Sequence, residues 1–87
     1  MTELDDMSGV PRYRQVAAIL EREIRDGTWL PGHVIPSQTQ LAQRFGIAKA
    51  TAGHAHAHLA ERGFVVAVPG IGMVVTRVAA WPPATDG

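Results

Sequence analysis

The spacing of hydrophobic residues early in the chain predicts an amphipathic helix. The helix should open at Pro11, since apolar side chains then recur at intervals of three and four residues, which places them on one helical face. It should end near Asp26, because Gly27 can adopt the left-handed conformation that closes a helix and Pro31 prevents an early restart. The apolar stripe consists of Tyr13, Val16, Ala17, Leu20 and Ile24, and on this stripe Tyr13 is expected to be a packing residue.

Two further helices and a short strand are predicted next. Ser37 and Gln40 have the spacing of a capping box, so a helix should start at Ser37 and end at Gly46. A third helix is predicted over residues 49–62, and two helices joined by a tight turn at a glycine have helix-turn-helix geometry. Residues 33–35, which lie before the second helix, are β-branched in part and bounded by Gly and Pro, so they predict a single short strand.

Beyond Gly63 the period of apolar positions changes to two, which predicts a β-hairpin. Its strands are residues 64–68 and 73–78, and residues 69–72 form a glycine-rich loop between them. Three helices and a two-stranded wing make a mainly α, winged helix-turn-helix domain over residues 11–78. Residues 1–10 are expected to be an acidic disordered tail, and residues 79–87 a Pro-rich tail or linker that is extended or disordered.

Composition excludes several classes of function. The chain of 87 residues has no cysteine, so disulfides, thiolate zinc sites and cysteine nucleophiles are absent. Its apolar stretches are far shorter than the ~20 residues of a membrane span, and its acidic beginning is unlike a signal peptide. A cytoplasmic protein is therefore expected. No nucleophile with a base, no carboxylate pair and no phosphate-binding loop stands out, so neither an enzyme nor a cofactor is expected.

The net charge of zero hides an uneven distribution of charge. The chain has eight Lys and Arg residues and eight Asp and Glu residues. All eight basic residues fall within residues 11–78, together with only four acidic ones, which leaves this part of the chain at +4. A modestly basic domain is compatible with a nucleic-acid partner and equally with an ordinary solvated surface.

The amino-acid sequence over about residues 11–77 resembles the DNA-binding domain of GntR-type bacterial transcription regulators. The matching positions are Tyr13-Arg14-Gln15-Val16, Gly27-x-x-x-Pro31-Gly32, Ile35-Pro36-Ser37, Leu41-Ala42, Phe45-Gly46-Ile47, Thr51, Ala55, Leu59 and Gly63-Phe64-Val65. The resemblance implies a homodimer on double-stranded DNA, with the third helices in major grooves and the wing tips near minor grooves. An effector domain normally follows the wing. The sequence is compatible with a DNA-binding protein that acts without an effector domain and with the N-terminal part of a longer regulator. Any effector ligand is unknown.

The resemblance also implies which residues meet DNA. They are Ser37, Gln38, Thr39, Lys49, Thr51, His54 and Gly70. Ser37 both caps the second helix and accompanies amides suited to a phosphate, while Gln38 and Thr39 replace the Glu and Arg usual in the family and can still hydrogen-bond a phosphate. Gly70 would let the wing backbone approach DNA closely.

The third helix should make fewer contacts with bases than is usual in the family. Lys49 is expected at a base edge or phosphate and Thr51 at a phosphate, but Lys49 lacks the guanidinium fork that grips guanine. Gly53 supplies no side chain where the family commonly has Arg. His54 also replaces a family Arg, and a histidine there gains charge as the pH falls through about 6.5.

The histidines of the third helix admit other interpretations. His54 and His58 share a helical face with Glu61, a spacing that could hold a metal, whereas His56 points elsewhere. No HExxH pattern is present, so no metal is expected. Three solvated histidines are an equally good interpretation. The competing function is a degenerate winged helix that binds another protein and has weak or no DNA binding.

Overall fold

The computed structural model describes residues 4–83 and confirms the winged helix-turn-helix architecture. The elements are α1 (Arg12–Arg25), α2 (Gln38–Phe45), α3 (Lys49–Glu61), β1 (Val65–Val68), β2 (Gly72–Val75) and a short 3₁₀ helix (Val78–Ala80). Each predicted helix is present within one or two residues of its expected ends. Within the described part of the chain, no helix is both long and apolar enough to cross a membrane.

The predicted capping box fixes the start of α2. The Ser37 hydroxyl accepts a hydrogen bond from the backbone amide of Gln40 at 3.1 Å, and the Gln40 side chain accepts one from the Ser37 amide at 2.8 Å. The helix ends at Gly46, whose φ of 65° is the left-handed conformation that glycine adopts without steric cost. Both ends of α2 are therefore set by local sequence, as predicted.

The wing pairs β1 with β2 in antiparallel register, with Val65 opposite Val75 and Val68 opposite Gly72. The predicted short strand at residues 33–35 joins the other edge of β2 through an isolated bridge between Val34 and Val74. The Ile35 amide donates to the Met73 carbonyl at 3.0 Å there. The segment before α2 is thus tied to the wing.

The core lies between the three helices and the wing. Its fully buried side chains include Val16, Leu20 and Ile24 from α1, Leu41 from α2, Leu59 from α3, and Phe64 and Val75 at the wing. The α3 helix contacts both α1 and α2, and it faces the core with Ala52 and Ala55. Because these side chains are small, the neighbouring helices can approach α3 closely.

The described parts of the two expected tails make specific contacts, which the composition did not predict. Asp6 accepts two hydrogen bonds from the Arg12 guanidinium, at 2.9 and 2.8 Å. At the other end, Trp81 packs against the Phe64 ring and donates from its indole nitrogen to the Thr76 carbonyl at 3.1 Å. The rest of the tail prediction, residues 1–3 and 84–87, lies outside the described residues.

Candidate nucleic-acid interface

The start of α2 and the tip of the wing face each other across an open crevice of about 570 Å³. Ser37 and Gln38 line one wall, Gly70 and Ile71 line the other, and the ring of His56 also borders the space. Three of the residues predicted to meet DNA therefore come together here. The backbone N–H of Gln38 is also one of the first-turn N–H groups that a helix leaves without an intrahelical partner. A polar group outside the chain can therefore accept a hydrogen bond from it.

The exposed side of α3 adjoins this crevice. The core side of α3 is defined by Ala52, Ala55 and Leu59, so the helical period turns Ala50 and Ala57 outward, and both are exposed. Lys49 is the exposed first residue of the helix, and Thr51 is half-buried. The side chains on this outer face are small and uncharged, and the charge of Lys49 lies at its margin.

The other two predicted contacts, Thr39 and His54, do not line the crevice. Thr39 is exposed on the first turn of α2 but does not line the crevice. Gly70 is exposed at the wing tip with φ of 80°, and a Cβ there would meet no atom within 4 Å. His54 is exposed and lies on the side of α3 that faces α1, where its ring stacks on Tyr13 with centroids 3.6 Å apart and planes 6° from parallel. Tyr13 is half-buried against the core, which confirms its predicted packing role.

The interpretation of three solvated histidines is wrong, because His56 is only 6% exposed. Its Nε2 atom lies 2.9 Å from the Pro36 carbonyl oxygen, and burial lowers the pKa of His56 although this hydrogen bond acts in the opposite direction. His56 follows the buried Ala52 by four residues and precedes the buried Leu59 by three, so the helical period alone could have placed it on the buried side. Within residues 4–83, no group of three or more metal-ligating side chains is placed to hold a metal ion.

Several basic side chains are held by acidic ones, which the charge count did not reveal. Glu23 accepts hydrogen bonds from the Arg44 guanidinium and from the Trp29 indole nitrogen. The Arg44 hydrogen bond is the main reason that the pKa of Glu23 is lowered, and the Trp29 bond adds to it. Arg25 and Arg62 both pair with Glu21. These pairs are already cancelled in the net +4, so they engage individual guanidinium groups without lowering that net charge, and Lys49 supplies the positive charge at the exposed start of α3.

Comparison with known proteins identifies the family. The family model described as "Bacterial regulatory proteins, gntR family" matches residues 12–75. The histidine utilization repressor of Klebsiella aerogenes is 32% identical over 67 residues, which are 77% of this chain and 28% of that protein. The HTH-type transcriptional repressor NagR of Bacillus subtilis is 28% identical over 74 residues, which are 85% of this chain and 30% of that protein. The chain thus spans less than a third of the length of these curated relatives.

Solved structures agree in fold. YtrA from Sulfolobus acidocaldarius, a GntR-family transcription factor, superposes with a TM-score of 0.78 at 32% identity, covering 87% of this chain and 80% of YtrA. AraR(DBD) in complex with operator ORX1 superposes with a TM-score of 0.76 at 31% identity, covering 84% of this chain and 90% of AraR(DBD). These relatives are transcription regulators rather than enzymes. With the family match over residues 12–75, they show that this chain belongs to the GntR family of DNA-binding transcription regulators.

Proposed function

We propose that this chain binds double-stranded operator DNA in a sequence-specific manner as a homodimer. The observation that carries the proposal is the arrangement of three elements around one surface: the start of α2, the outer face of α3 and the wing tip. In this arrangement α3 enters the major groove and the wing approaches the adjacent minor groove. AraR(DBD), which has the same fold, has been solved with an operator, and this supports the assignment.

The individual contacts follow from position and chemistry. Lys49, exposed at the start of α3, binds a base edge or a phosphate, and Thr51 donates its hydroxyl to a phosphate. The first turn of α2 offers its backbone amides, that of Gln38 among them, and the hydroxyls of Ser37 and Thr39 to the phosphate strand between the two grooves. His54, stacked on Tyr13, lies near the DNA backbone.

The wing contributes through shape rather than charge. Gly70 brings the backbone near the minor groove, because it has no side chain and the space at its Cβ position is open to 4 Å. No Lys or Arg lies between Arg62 and Arg77, so the hairpin cannot neutralise phosphates by itself.

Two copies are needed because one domain of this size reads only a short half-site. A homodimer would read two half-sites whose centres are separated by about one helical turn or a multiple of it. The regulator acts in the bacterial cytoplasm, and its relatives' greater length leaves room for effector-responsive parts whose ligand this chain does not define.

One observation favours a second candidate function, the binding of another protein. Ile71 at the wing tip is 67% exposed, and the nearby Val34 and Val66 are exposed apolar residues as well. An apolar tip of this kind suits a protein surface as well as a groove of DNA.

Selection from a random duplex library tests the proposal against this alternative. A DNA reader enriches a defined motif, binds it two chains to one duplex, and loses affinity steeply as salt rises from 50 to 200 mM because counterions are released on binding. Failure to enrich any motif, with binding to DNA absent at both salt concentrations, would leave the protein-binding function.

A further inference from the structure

Gly53 is half-buried in the middle of α3, where it lies against a side chain of α2. An atom placed at its missing Cβ position would lie 3.0 Å from Nε2, 3.2 Å from Cδ and 3.4 Å from Oε1 of Gln38. All three atoms of the Gln38 amide group therefore lie close to the α3 backbone at this point. The amide of an α2 residue occupies the space that a side chain at position 53 would otherwise fill.

The Gln38 amide remains available to a ligand. Two other glutamine side chains make hydrogen bonds within the protein: Gln40 completes the capping box, and Gln15 donates to the backbone carbonyls of Asp5 and Val10. Over the described residues 4–83, the Gln38 side chain makes no such hydrogen bond, and it is exposed at the edge of the crevice. Its carbonyl oxygen and its two N–H donors are thus presented to the outside.

The position of this amide on α3 matters for base reading. Gly53 stands one turn after Lys49 and one turn before Ala57, so the three residues form a line along the helix. Lys49 and Ala57 are exposed, which puts the Gln38 amide on the side of α3 that the proposed function turns toward the base pairs.

We propose that Gln38, seated on Gly53, reads a base in the major groove in place of a side chain from α3, with adenine as its preferred base. The inference rests on the proposed function and deepens it. A glutamine amide presents an acceptor and a donor side by side, which matches the N6 donor and N7 acceptor of adenine. Gly53 provides the space for this arrangement, because even an alanine Cβ would lie 3.0 Å from the amide nitrogen and would shift the amide by a few tenths of an ångström.

Selected binding motifs test this assignment directly. Motifs are selected from a random duplex library by the wild-type chain, Gln38→Ala, Gln38→Glu, Gly53→Ala and the control Gln43→Ala. The control removes the same amide from an exposed position of the same helix that has no assigned contact. The wild-type motif should contain an adenine in each half-site that Gln38→Ala no longer prefers, with a loss of discrimination of roughly 5- to 150-fold at that position alone.

The other variants sharpen the test. Gln38→Glu should change the preference from adenine to cytosine, because a carboxylate accepts from the cytosine amino group. Gly53→Ala should weaken the same position although Gln38 is still present, and Gln43→Ala should leave the motif unchanged. Circular dichroism and thermal unfolding of each variant confirm that the fold is retained.

Two results would overturn the inference and are distinguishable. If Gln38→Ala lowers affinity equally for all sequences and keeps the wild-type motif, Gln38 binds a phosphate and the proposed function survives. If the wild-type chain selects no motif, the proposed function and this inference both fall.

Discussion

The Nε2 atom of His56 lies 2.9 Å from the carbonyl oxygen of Pro36. The middle of α3 is therefore hydrogen-bonded to the residue that precedes Ser37, the N-cap of α2. A carbonyl only accepts, so the imidazole donates from Nε2 in this contact. The contact links the helix proposed to read DNA with the start of the helix proposed to bind the phosphate strand. The link can be tested through pH.

The free energy of unfolding should fall as the pH drops from 7.5 to 5. Burial lowers the pKa of His56 in the folded state, whereas in the unfolded chain it takes its ordinary value near 6.5. The folded state therefore binds fewer protons, so stability is full above about pH 6.5 and is lost as the pH falls from there toward the lower, folded-state pKa. Urea unfolding at a series of pH values measures this.

A matched pair of variants assigns the effect to His56. His56→Gln keeps a donor for the Pro36 carbonyl but does not titrate, so its stability should vary less with pH than that of the wild type. His33→Gln, at an exposed position, should retain the wild-type dependence. A wild-type slope that survives in His56→Gln would mean that another group causes the acid sensitivity.

Gly63 and Gly46 should respond very differently to alanine. Both have positive φ, at 89° and 65°, which costs a residue with a Cβ about 1–2 kcal/mol. At Gly46 the added Cβ meets nothing within 4 Å, but at Gly63 it would lie 2.6 Å from the backbone oxygen of Ala80. Gly63→Ala should therefore destabilise the domain by roughly 1–3 kcal/mol more than Gly46→Ala does. Equal losses in thermal unfolding would show that the segment after the wing moves away freely.

The features that sequence predicts well are those that depend on neighbours along the chain. The capping box of Ser37 and Gln40, the left-handed end of α2 at Gly46 and the period-two wing all follow from local chemistry. The candidate site could be predicted only as a set of residues. That Ser37 and Gly70 line one crevice depends on the packing of α2 and the wing, which no local pattern encodes.

The contacts that sequence missed join residues far apart in the chain. Gly53 is an ordinary helix-interior glycine by its sequence, and only the crossing of α2 and α3 brings Gln38 onto it. The packing of Trp81 against Phe64 likewise depends on the chain turning back after the wing.

Alanine at Gly53 should stabilise the domain less in the wild type than in a Gln38→Ala background. Removing a helix-interior glycine stabilises by roughly 0.5–1 kcal/mol when the new Cβ has space. In the wild type the Gln38 amide must first move, because the new Cβ would lie 3.0 Å from its nitrogen. A double-mutant cycle of unfolding free energies measures the difference. Full additivity of the two substitutions would mean that the amide leaves Gly53 at no cost.

Lys49→Ala should weaken DNA binding and lower its salt dependence. Lys49 is the only basic residue in the first turn of α3, so its loss should reduce the slope of log affinity against log salt by about 1 per contacting subunit. Arg22→Ala removes the same charge from the exposed last turn of α1 and serves as the control. Fluorescence anisotropy of a labelled duplex at several salt concentrations gives both slopes. An unchanged slope in Lys49→Ala would remove the start of α3 from the interface.

His54→Ala should weaken DNA binding by roughly 2- to 10-fold, because the imidazole ring can donate one hydrogen bond to a phosphate in the proposed complex. The ring of His54 is exposed, and its stack on Tyr13 fixes it at the side of α3 that faces α1. Anisotropy titrations of a labelled duplex at one pH and one salt concentration measure the change.

The neighbouring His58 provides the control for this effect. Its ring meets Tyr13 edge-on at 5.8 Å, one turn further from the start of α3, so His58→Ala should keep the wild-type affinity. If the wild type and His54→Ala bind the duplex equally well, His54 only packs on Tyr13, and the polar contacts of α3 with DNA come from Lys49 and Thr51 alone.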